Sequence, residues 1–250
     1  KADPAFALRK LSVFWEPGVE ALQSRYVWGE SQIPIYADLF NPQAVERFIA
    51  MTHERYASRL SRYFGGVVKG ISTDEPSFAY AKFHPTHGAL IELPYYASLE
   101  KDYRDQSGRD LRRDVEAHLD GRAPGGLWQD LSLVLGRRFR ETFFDRVRSW
   151  CDAHGVLFTG HLMEEVDPNR SIIFNGDPMK AMASLSLPGI DEIFTRTDPE
   201  RIEWVTLKMV ENCSAAKQSG ALAELFAMGP CDLSLAELRQ MIWLAAAAPQ

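Results

Sequence analysis

The sequence predicts an α/β protein built on a (β/α)8 TIM-type barrel that is incomplete in this chain. From Val67 onward, short apolar runs alternate with long segments of helical periodicity, which is typical of βα units around a parallel sheet. Five or six strand candidates are found, whereas a closed barrel needs eight. We therefore expect residues 1–250 to form a single, partial barrel domain, and the start at Lys1 to be a cut into a larger enzyme.

Composition narrows the class of partner. With 46% hydrophobic and 25% charged residues, the chain has the make-up of a folded globular protein. Its net charge of −6 argues against binding to nucleic acid or to an anionic membrane, and we find no apolar run of the ~20 residues that a transmembrane helix needs. Cys151, Cys213 and Cys231 are widely separated, which favours buried core residues over a disulfide framework or a thiolate zinc site.

The N-terminal part contains short strand candidates and one helix. Residues 33–37 are apolar and β-prone, and residues 11–14 form a weaker candidate. Asn41 is suited to cap a helix that has Pro42 at its first position. Apolar residues at helical spacing follow, and Gly65-Gly66 is expected to end this helix.

The central part begins with the β-branched run 67–73, which predicts a buried strand. This run leads directly into Asp74-Glu75-Pro76, which puts two carboxylates at the end of the strand. A stretch dense in charges of both signs follows, and we interpret residues of about 99–127 as a solvated helical insertion. The periodic run from about 128 to 154 predicts the clearest helix, ended by Gly155.

The C-terminal part holds three further strand candidates, and each contains an acid or leads directly to one. Residues 156–161 end in His161 and lead to Glu164-Glu165, of which alternation alone cannot select the inward-facing one. Residues 190–195 contain Asp191, and residues 221–226 contain Glu224 between apolar neighbours. A helix is expected to start at Thr197-Asp198-Pro199. Ser234 and Glu237 have the spacing of a capping box at the start of the last helix.

The acids and the histidine at the strand ends are the candidates for chemistry, because loops at the carboxyl ends of parallel strands share one crevice. Acids embedded in apolar strands are costly unless they are paired or functional. Two carboxylic acids that face each other across a cleft are the machinery of glycoside hydrolysis. The candidates are Asp74, Glu75, His161, Glu164 or Glu165, Asp191 and Glu224.

Two other functions are compatible with the same residues. The first is a metal-dependent sugar isomerase or hydrolase on a barrel, in which these side chains are oxygen and nitrogen ligands. Only His161 sits at a strand end as an imidazole ligand, which weakens this interpretation. The second is a non-catalytic carbohydrate-binding barrel.

Five short motifs occur in an order that resembles a known family. They are Asp38-Leu39-Phe40-Asn41-Pro42, Gly70-Ile71-Ser72-Thr73-Asp74-Glu75-Pro76, Thr159-Gly160-His161-Leu162-Met163-Glu164-Glu165, Pro188-Gly189-Ile190-Asp191 and Ala223-Glu224-Leu225-Phe226. Together they resemble the catalytic barrel of large bacterial glycoside hydrolases similar to the α-L-rhamnosidases of glycoside hydrolase family 106. The resemblance extends from about residue 38 to residue 244.

The resemblance implies a sugar site lined by Asp74, Glu75, His161, Glu165 and Glu224. Glu165 is preferred over Glu164 because the family pattern places its acid four residues after the histidine. The resemblance further implies a longer polypeptide with β-sandwich domains and, in some members, a calcium ion. The last motif, Ala223-Glu224-Leu225-Phe226, lacks the Ser or Thr that often precedes the Ala or Glu in the family. Met228 stands where a Gly-rich turn is more usual.

The sequence thus predicts a glycosidase that cleaves O-glycosidic bonds with a pair of carboxylic acids, with a carbohydrate as its partner. Glu75 or Glu165 is the expected general acid, and Glu224 is the expected base or nucleophile. Asp74, His161 and Asp191 are expected to bind the substrate. The proposed chemistry requires no cofactor, although calcium is compatible with it. The sequence leaves the compartment open, whether secreted, periplasmic or cytoplasmic in a bacterium.

Overall fold

The computed structural model describes residues 4–16, 25–78, 88–122, 125–165, 167–192, 204–217, 220–226 and 233–246. The described strands are β1 (Ala7–Glu16), β2 (Arg25–Ala37), β3 (Gly70–Thr73), β4 (Ile91–Tyr95), β5 (Leu157–Gly160), β6 (Leu187–Glu192) and β7 (Leu222–Leu225). The described α-helices are α1 (Pro42–Met51), α2 (His53–Leu60), α3 (Leu99–Ser107), α4 (Leu111–Leu119), α5 (Leu127–Phe139), α6 (Asp145–Ala153), α7 (Pro168–Asn175), α8 (Pro178–Ser184), α9 (Trp204–Lys217) and α10 (Leu235–Ala246).

The chain divides into two compact units. The first contains residues 1–55 and 77–143, and the second contains residues 56–76 and 144–250. The chain enters the second unit within α2, returns to the first after β3, and crosses again within a π-helical turn, Arg140–Phe144.

The first unit holds a three-stranded antiparallel sheet in the order β2-β1-β4. Strand β1 pairs along its length with β2 and over five residues with β4. Lys10 and Glu92 form a buried ion pair across β1 and β4, with 2.8 Å between Lys10 Nζ and Glu92 Oε1. Next to the sheet in sequence, Asn41 accepts a hydrogen bond from the Gln43 N–H and caps α1, as predicted.

The core of the first unit is largely aromatic. Phe40 is fully buried, and its ring centroid lies 5.3 Å from the centroids of Phe78 and Tyr96. The charged stretch forms helices α3 and α4, which a buried polar network ties to α5. In this network Asp114 accepts from Tyr103 and Arg109 at 2.6 and 2.7 Å. The insertion therefore has a packed inner face as well as a solvated outer one.

The second unit holds a four-stranded parallel sheet in the order β3-β5-β6-β7, curled like half of a barrel. Phe144 and Phe158 are fully buried beside it, with 6.3 Å between their ring centroids. The expected capping box is present at α10, since the Ser234 N–H donates to Glu237 at 2.7 Å and the Glu237 N–H donates to Ser234 Oγ at 3.3 Å. The expected helix start at Thr197-Asp198-Pro199 lies outside the described residues.

The predicted (β/α)8 TIM-type barrel is wrong. In the described part of the chain, β3, β5, β6 and β7 form a parallel half-barrel, whereas β1, β2 and β4 form a separate antiparallel sheet. Residues 11–14 and 33–37 do lie in strands, but these strands pair with each other in antiparallel register. Strand β4 was not predicted. Local apolar pattern identifies a strand, but it does not identify the partner with which that strand pairs.

The cysteines and the helix lengths bear on two further expectations. Cys151 and Cys213 are buried, as predicted, and Cys231 lies outside the described residues. Among the helices that the structure describes, none has both the length and the apolar character needed to cross a membrane.

Candidate active site

The register of the parallel sheet brings its functional side chains to one edge. Thr73 of β3 pairs with Gly160 of β5, so Asp74 and His161 are the next residues on neighbouring strands. Asp191 of β6 pairs with Glu224 of β7. The β5–β6 pairing aligns Gly160 with Pro188, so Asp191 and Glu224 lie two residues further along their strands than Asp74 and His161. Because adjacent parallel strands lie about 4.8 Å apart, the two pairs meet at the same edge of the sheet. All of them belong to the second unit.

Two glycines allow the strand ends to approach closely. A Cβ added to Gly160 would lie 2.1 Å from the Thr73 carbonyl oxygen, and one added to Gly189 would lie 2.7 Å from the Gly160 carbonyl oxygen. Gly160 also has a φ of +142°, which side chains disfavour. The Thr-Gly-His order of β5 thus permits tight packing immediately before the histidine.

Three residues with left-handed backbone surround this edge. Among the described non-glycine residues, positive φ occurs at Glu75 (44°), Glu164 (53°) and Phe226 (73°). Each follows the end of a parallel strand, β3, β5 or β7. Such conformations cost about 1–3 kcal/mol and concentrate at functional sites, where the surrounding structure holds them in place.

His161 lies at the centre of the site. Its side chain is 3% exposed, and its Nε2 lies 3.3 Å from Glu224 Oε2 and 3.5 Å from Asp74 Oδ1. The Nδ1 atom is buried and has no hydrogen-bond partner among the described residues. By contrast, the Asp74 carboxylate is 89% exposed and that of Glu224 is half exposed. The imidazole therefore bridges two carboxylates that are open to a ligand.

Glu75 and Asp191 complete the cluster around the imidazole. Each contributes a carboxylate oxygen that lies within 4.8 Å of the other's and of a His161 ring nitrogen. Burial raises the pKa of both carboxyls above the ordinary range, and neighbouring acids, including Asp74, raise it further. His161 opposes this effect on each group. The structure thus favours the protonated form of these acids more than water does.

Glu165 is the most buried acid of the site. It is 2% exposed, and burial raises its pKa to about 8. Its Oε2 accepts the Leu162 N–H at 2.9 Å, and its Oε1 accepts the Asp191 N–H at 2.6 Å. The carboxyl group therefore links the loop after β5 to strand β6.

The structure distinguishes the two adjacent glutamates that alternation could not. The left-handed conformation at Glu164 turns the chain so that Glu165 points inward, while Glu164 forms an ion pair with Arg170. Sequence reasoning missed Asn175 of α7, whose side chain donates to the Met163 carbonyl at 2.8 Å and so anchors this loop. No local pattern marks that asparagine, because its partner lies twelve residues away.

Negative charge is concentrated at this edge of the sheet. In the part of the chain that the structure describes, no Lys or Arg lies within ion-pair distance of the carboxylates of Asp74, Glu75, Asp191 and Glu224. Glu75 and Asp191 are partly buried, and burial of a carboxylate without a neighbouring cation is unfavourable in a purely structural role. Titratable groups with shifted pKa values at such an edge are candidates for catalysis or binding.

Most of the residues predicted from the sequence lie together at this edge of the sheet. The structure brings together Asp74, Glu75, His161, Glu165, Asp191 and Glu224. The Glu164 carboxylate lies outside this cluster, because it forms an ion pair with Arg170. The arrangement offers a proton donor of raised pKa, an open carboxylate and a buried imidazole between them, which is suited to acid–base chemistry on a polar ligand.

Comparison with known proteins gives one structural similarity. The fold is similar to that of a rhamnosidase from Novosphingobium sp. PP1Y, with a TM-score of 0.61 and 15% sequence identity. The match covers 87% of this chain and 20% of the length of the rhamnosidase. No protein-family model and no curated protein matches the sequence. The similarity is therefore one of fold, to part of a glycosidase.

Proposed function

We propose that this chain forms part of the catalytic domain of a glycoside hydrolase. The observation that carries the proposal is the convergence of Glu75, His161, Asp191 and Glu224 at the carboxyl edge of the parallel half-barrel. Glycoside hydrolysis needs one carboxylic acid that holds a proton and another that is ionised and accessible. The fold similarity to part of a rhamnosidase supports the same conclusion.

Glu75 is the proposed general acid. Its carboxyl is partly buried, and burial together with neighbouring acids raises its pKa, which favours the protonated form that a general acid needs. Glu224 is the proposed base or nucleophile, because its half-exposed carboxylate can reach water or an anomeric carbon. His161 orients Glu224 and Asp74 from its buried position. Asp74 and Asp191 are proposed to bind sugar hydroxyls.

The proposed substrate is an O-glycoside, with α-L-rhamnosides the first choice. This choice depends on the resemblance of the five motifs and on the name of the structural neighbour. Because the chain spans 20% of that neighbour's length, we propose that further domains of the same polypeptide contribute to binding. A nucleic-acid partner is disfavoured by the net charge of −6.

The test is hydrolysis of aryl glycosides by Glu75→Gln and Glu224→Gln variants. Loss of a general acid or base lowers the rate by about 10²–10⁴-fold, so we expect each variant to lose activity on this scale. Glu75→Gln should retain more activity on substrates whose leaving group needs no proton. Glu141→Gln is the matched control, because Glu141 is exposed and pairs with Arg140. Full activity in both site variants would exclude the proposal.

A metal-dependent sugar isomerase or hydrolase is the second candidate, and one observation favours it. Glu75, His161 and Asp191 each offer a ligand atom within 4.8 Å of the others. The buried Oδ1 of Asp191 has no hydrogen-bond partner among the described residues. Activity that survives a strong chelator would exclude this function, whereas restoration by one added metal would support it.

The calcium ion that the motif resemblance implies fits this cluster poorly. Ca²⁺ takes six to eight oxygen ligands, whereas the cluster is built around an imidazole nitrogen with two carboxylates. Mixed nitrogen and carboxylate ligands suit zinc, manganese or iron better. We therefore assign no step of the proposed hydrolysis to calcium.

Assays with the same substrates distinguish a glycosidase from a non-catalytic carbohydrate-binding domain. Such a domain would bind oligosaccharides in calorimetry without releasing product. Turnover that depends on Glu224 would exclude it.

A further inference from the structure

Glu165 differs from the other acids of the site in how its oxygens are used. Both carboxylate oxygens accept backbone N–H groups, from Leu162 at 2.9 Å and from Asp191 at 2.6 Å. The side chain is 2% exposed. A general acid or nucleophile must present an oxygen to the substrate, and the structure turns both oxygens of this carboxyl toward the backbone.

The two N–H groups belong to residues next to, or within, the cluster. Leu162 directly follows His161, and Asp191 is itself a member of the cluster. Glu165 therefore spans the gap between the end of β5 and strand β6. It fixes the separation of His161 and Asp191, which the sheet alone holds through only two paired positions between these strands.

Rotation of Glu165 toward a substrate would be unfavourable. It would leave the Leu162 and Asp191 N–H groups without acceptors inside the protein, and a buried N–H group without an acceptor is unfavourable. The left-handed backbone at Glu164 and the Asn175 hydrogen bond to Met163 hold the loop in its present conformation.

We infer that Glu165 is a positioning residue that holds His161 and Asp191 in register for the reaction, and that it transfers no proton and attacks no carbon. The inference rests on the proposed glycosidase function, and it assigns to Glu165 a role different from the catalytic one that the motif resemblance suggests. Glu75 and Glu224 are then the reacting pair.

Glu165→Gln tests the inference with little change of shape. The amide keeps one acceptor oxygen but turns an NH₂ group toward the second backbone N–H, so one of the two hydrogen bonds is lost. Misplacement of reacting groups by about 1 Å can cost 10²-fold in rate. We expect kcat to fall by about 10- to 100-fold, by the same factor for aryl glycosides with good and poor leaving groups, and without rescue by azide.

Catalytic roles give different results in the same assay. If Glu165 were the general acid, Glu165→Gln would retain activity on dinitrophenyl glycosides and lose it on substrates with poor leaving groups. If it were the base or nucleophile, azide would restore turnover and yield a glycosyl azide. Either result would overturn the inference. Glu165→Asp, which keeps the carboxyl group but is one methylene too short to bridge both N–H groups, is expected to show the same uniform loss.

Amide hydrogen exchange separates this inference from the proposed function. We expect faster exchange at Asp191 or Leu162 in Glu165→Gln than in the parent protein. Glu164→Gln is the matched control, since its side chain pairs with Arg170 and should leave both amides unchanged. If no form hydrolyses a glycoside but exchange rises as expected, the proposed function fails while the structural role stands. Unchanged exchange in Glu165→Gln would refute the positioning role.

Discussion

Gly160→Ala should be one of the most destabilising single substitutions in the second unit. The added methyl group would lie 2.1 Å from the Thr73 carbonyl oxygen and 2.8 Å from Thr73 Cγ2. The backbone oxygen is held in the β3–β5 pairing and cannot move away alone. In addition, a φ of +142° is a conformation that alanine avoids, at about 1–3 kcal/mol.

The size of the effect follows from these two causes. Overpacking of a rigid contact adds about 1–3 kcal/mol to the backbone strain, so the free energy of unfolding should fall by about 2–6 kcal/mol. That is a large part of the 5–15 kcal/mol typical of a folded protein. Chemical denaturation followed by circular dichroism measures the loss.

Gly155→Ala is the matched control for this experiment. Gly155 also has a left-handed φ, of +65°, but a Cβ there meets nothing within 4 Å. Only the backbone strain of about 1–2 kcal/mol should appear. Equal stability of the two variants would show that β3 and β5 are not packed against each other at Thr73 and Gly160. The approach of Asp74 to His161, which follows from that packing, would then not be formed as described.

Three further predictions concern stability. The pKa of Asp38 is raised by burial to about 6, so its contribution to stability is complete below pH 4 and is lost as the pH rises through 6. Relative to Asp38→Asn, the parent protein should lose up to about 3 kcal/mol between pH 4 and 7, and parallel pH profiles would contradict this. Lys10→Met should lower the free energy of unfolding by about 3–5 kcal/mol, because the Glu92 carboxylate stays buried without its lysine partner. The double variant with Glu92→Leu should recover most of this stability, as measured by thermal unfolding. Ser234→Ala should cost about 1 kcal/mol through loss of the cap on α10, seen as faster amide exchange in its first turn, and unaltered exchange would argue against the capping box.

Local features were predictable because their causes are local. Asn41 caps α1 and Ser234 caps α10 through hydrogen bonds to residues two or three positions away. The predicted runs 67–73 and 156–161 each contain a strand, over Gly70–Thr73 and Leu157–Gly160, although the first is not the buried strand that its apolar pattern predicts. The gathering of acids at one edge was predictable as well, because parallel strands end on the same side of a sheet.

Strand partners were not predictable from the same patterns. β1 and β2 have the β-prone residues of strands, yet nothing within either segment indicates that they pair in antiparallel register. Pairing depends on contacts between segments far apart in the chain, so the error lay in adding them to the parallel sheet. The barrel prediction failed for that reason.

The sequence by itself predicted which acids and which histidine gather at the carboxyl edge of the parallel sheet, because parallel strands all end on the same side. Alternation along the chain did not choose between Glu164 and Glu165, although the motif resemblance preferred Glu165, and the sequence could not tell a reacting carboxylate from a positioning one. The tertiary structure decided the first, because the left-handed turn at Glu164 fixes which side chain points inward. It also revealed the hydrogen bond from the Asp191 N–H to Glu165, whose partners lie 26 residues apart and meet only when β5 and β6 pair.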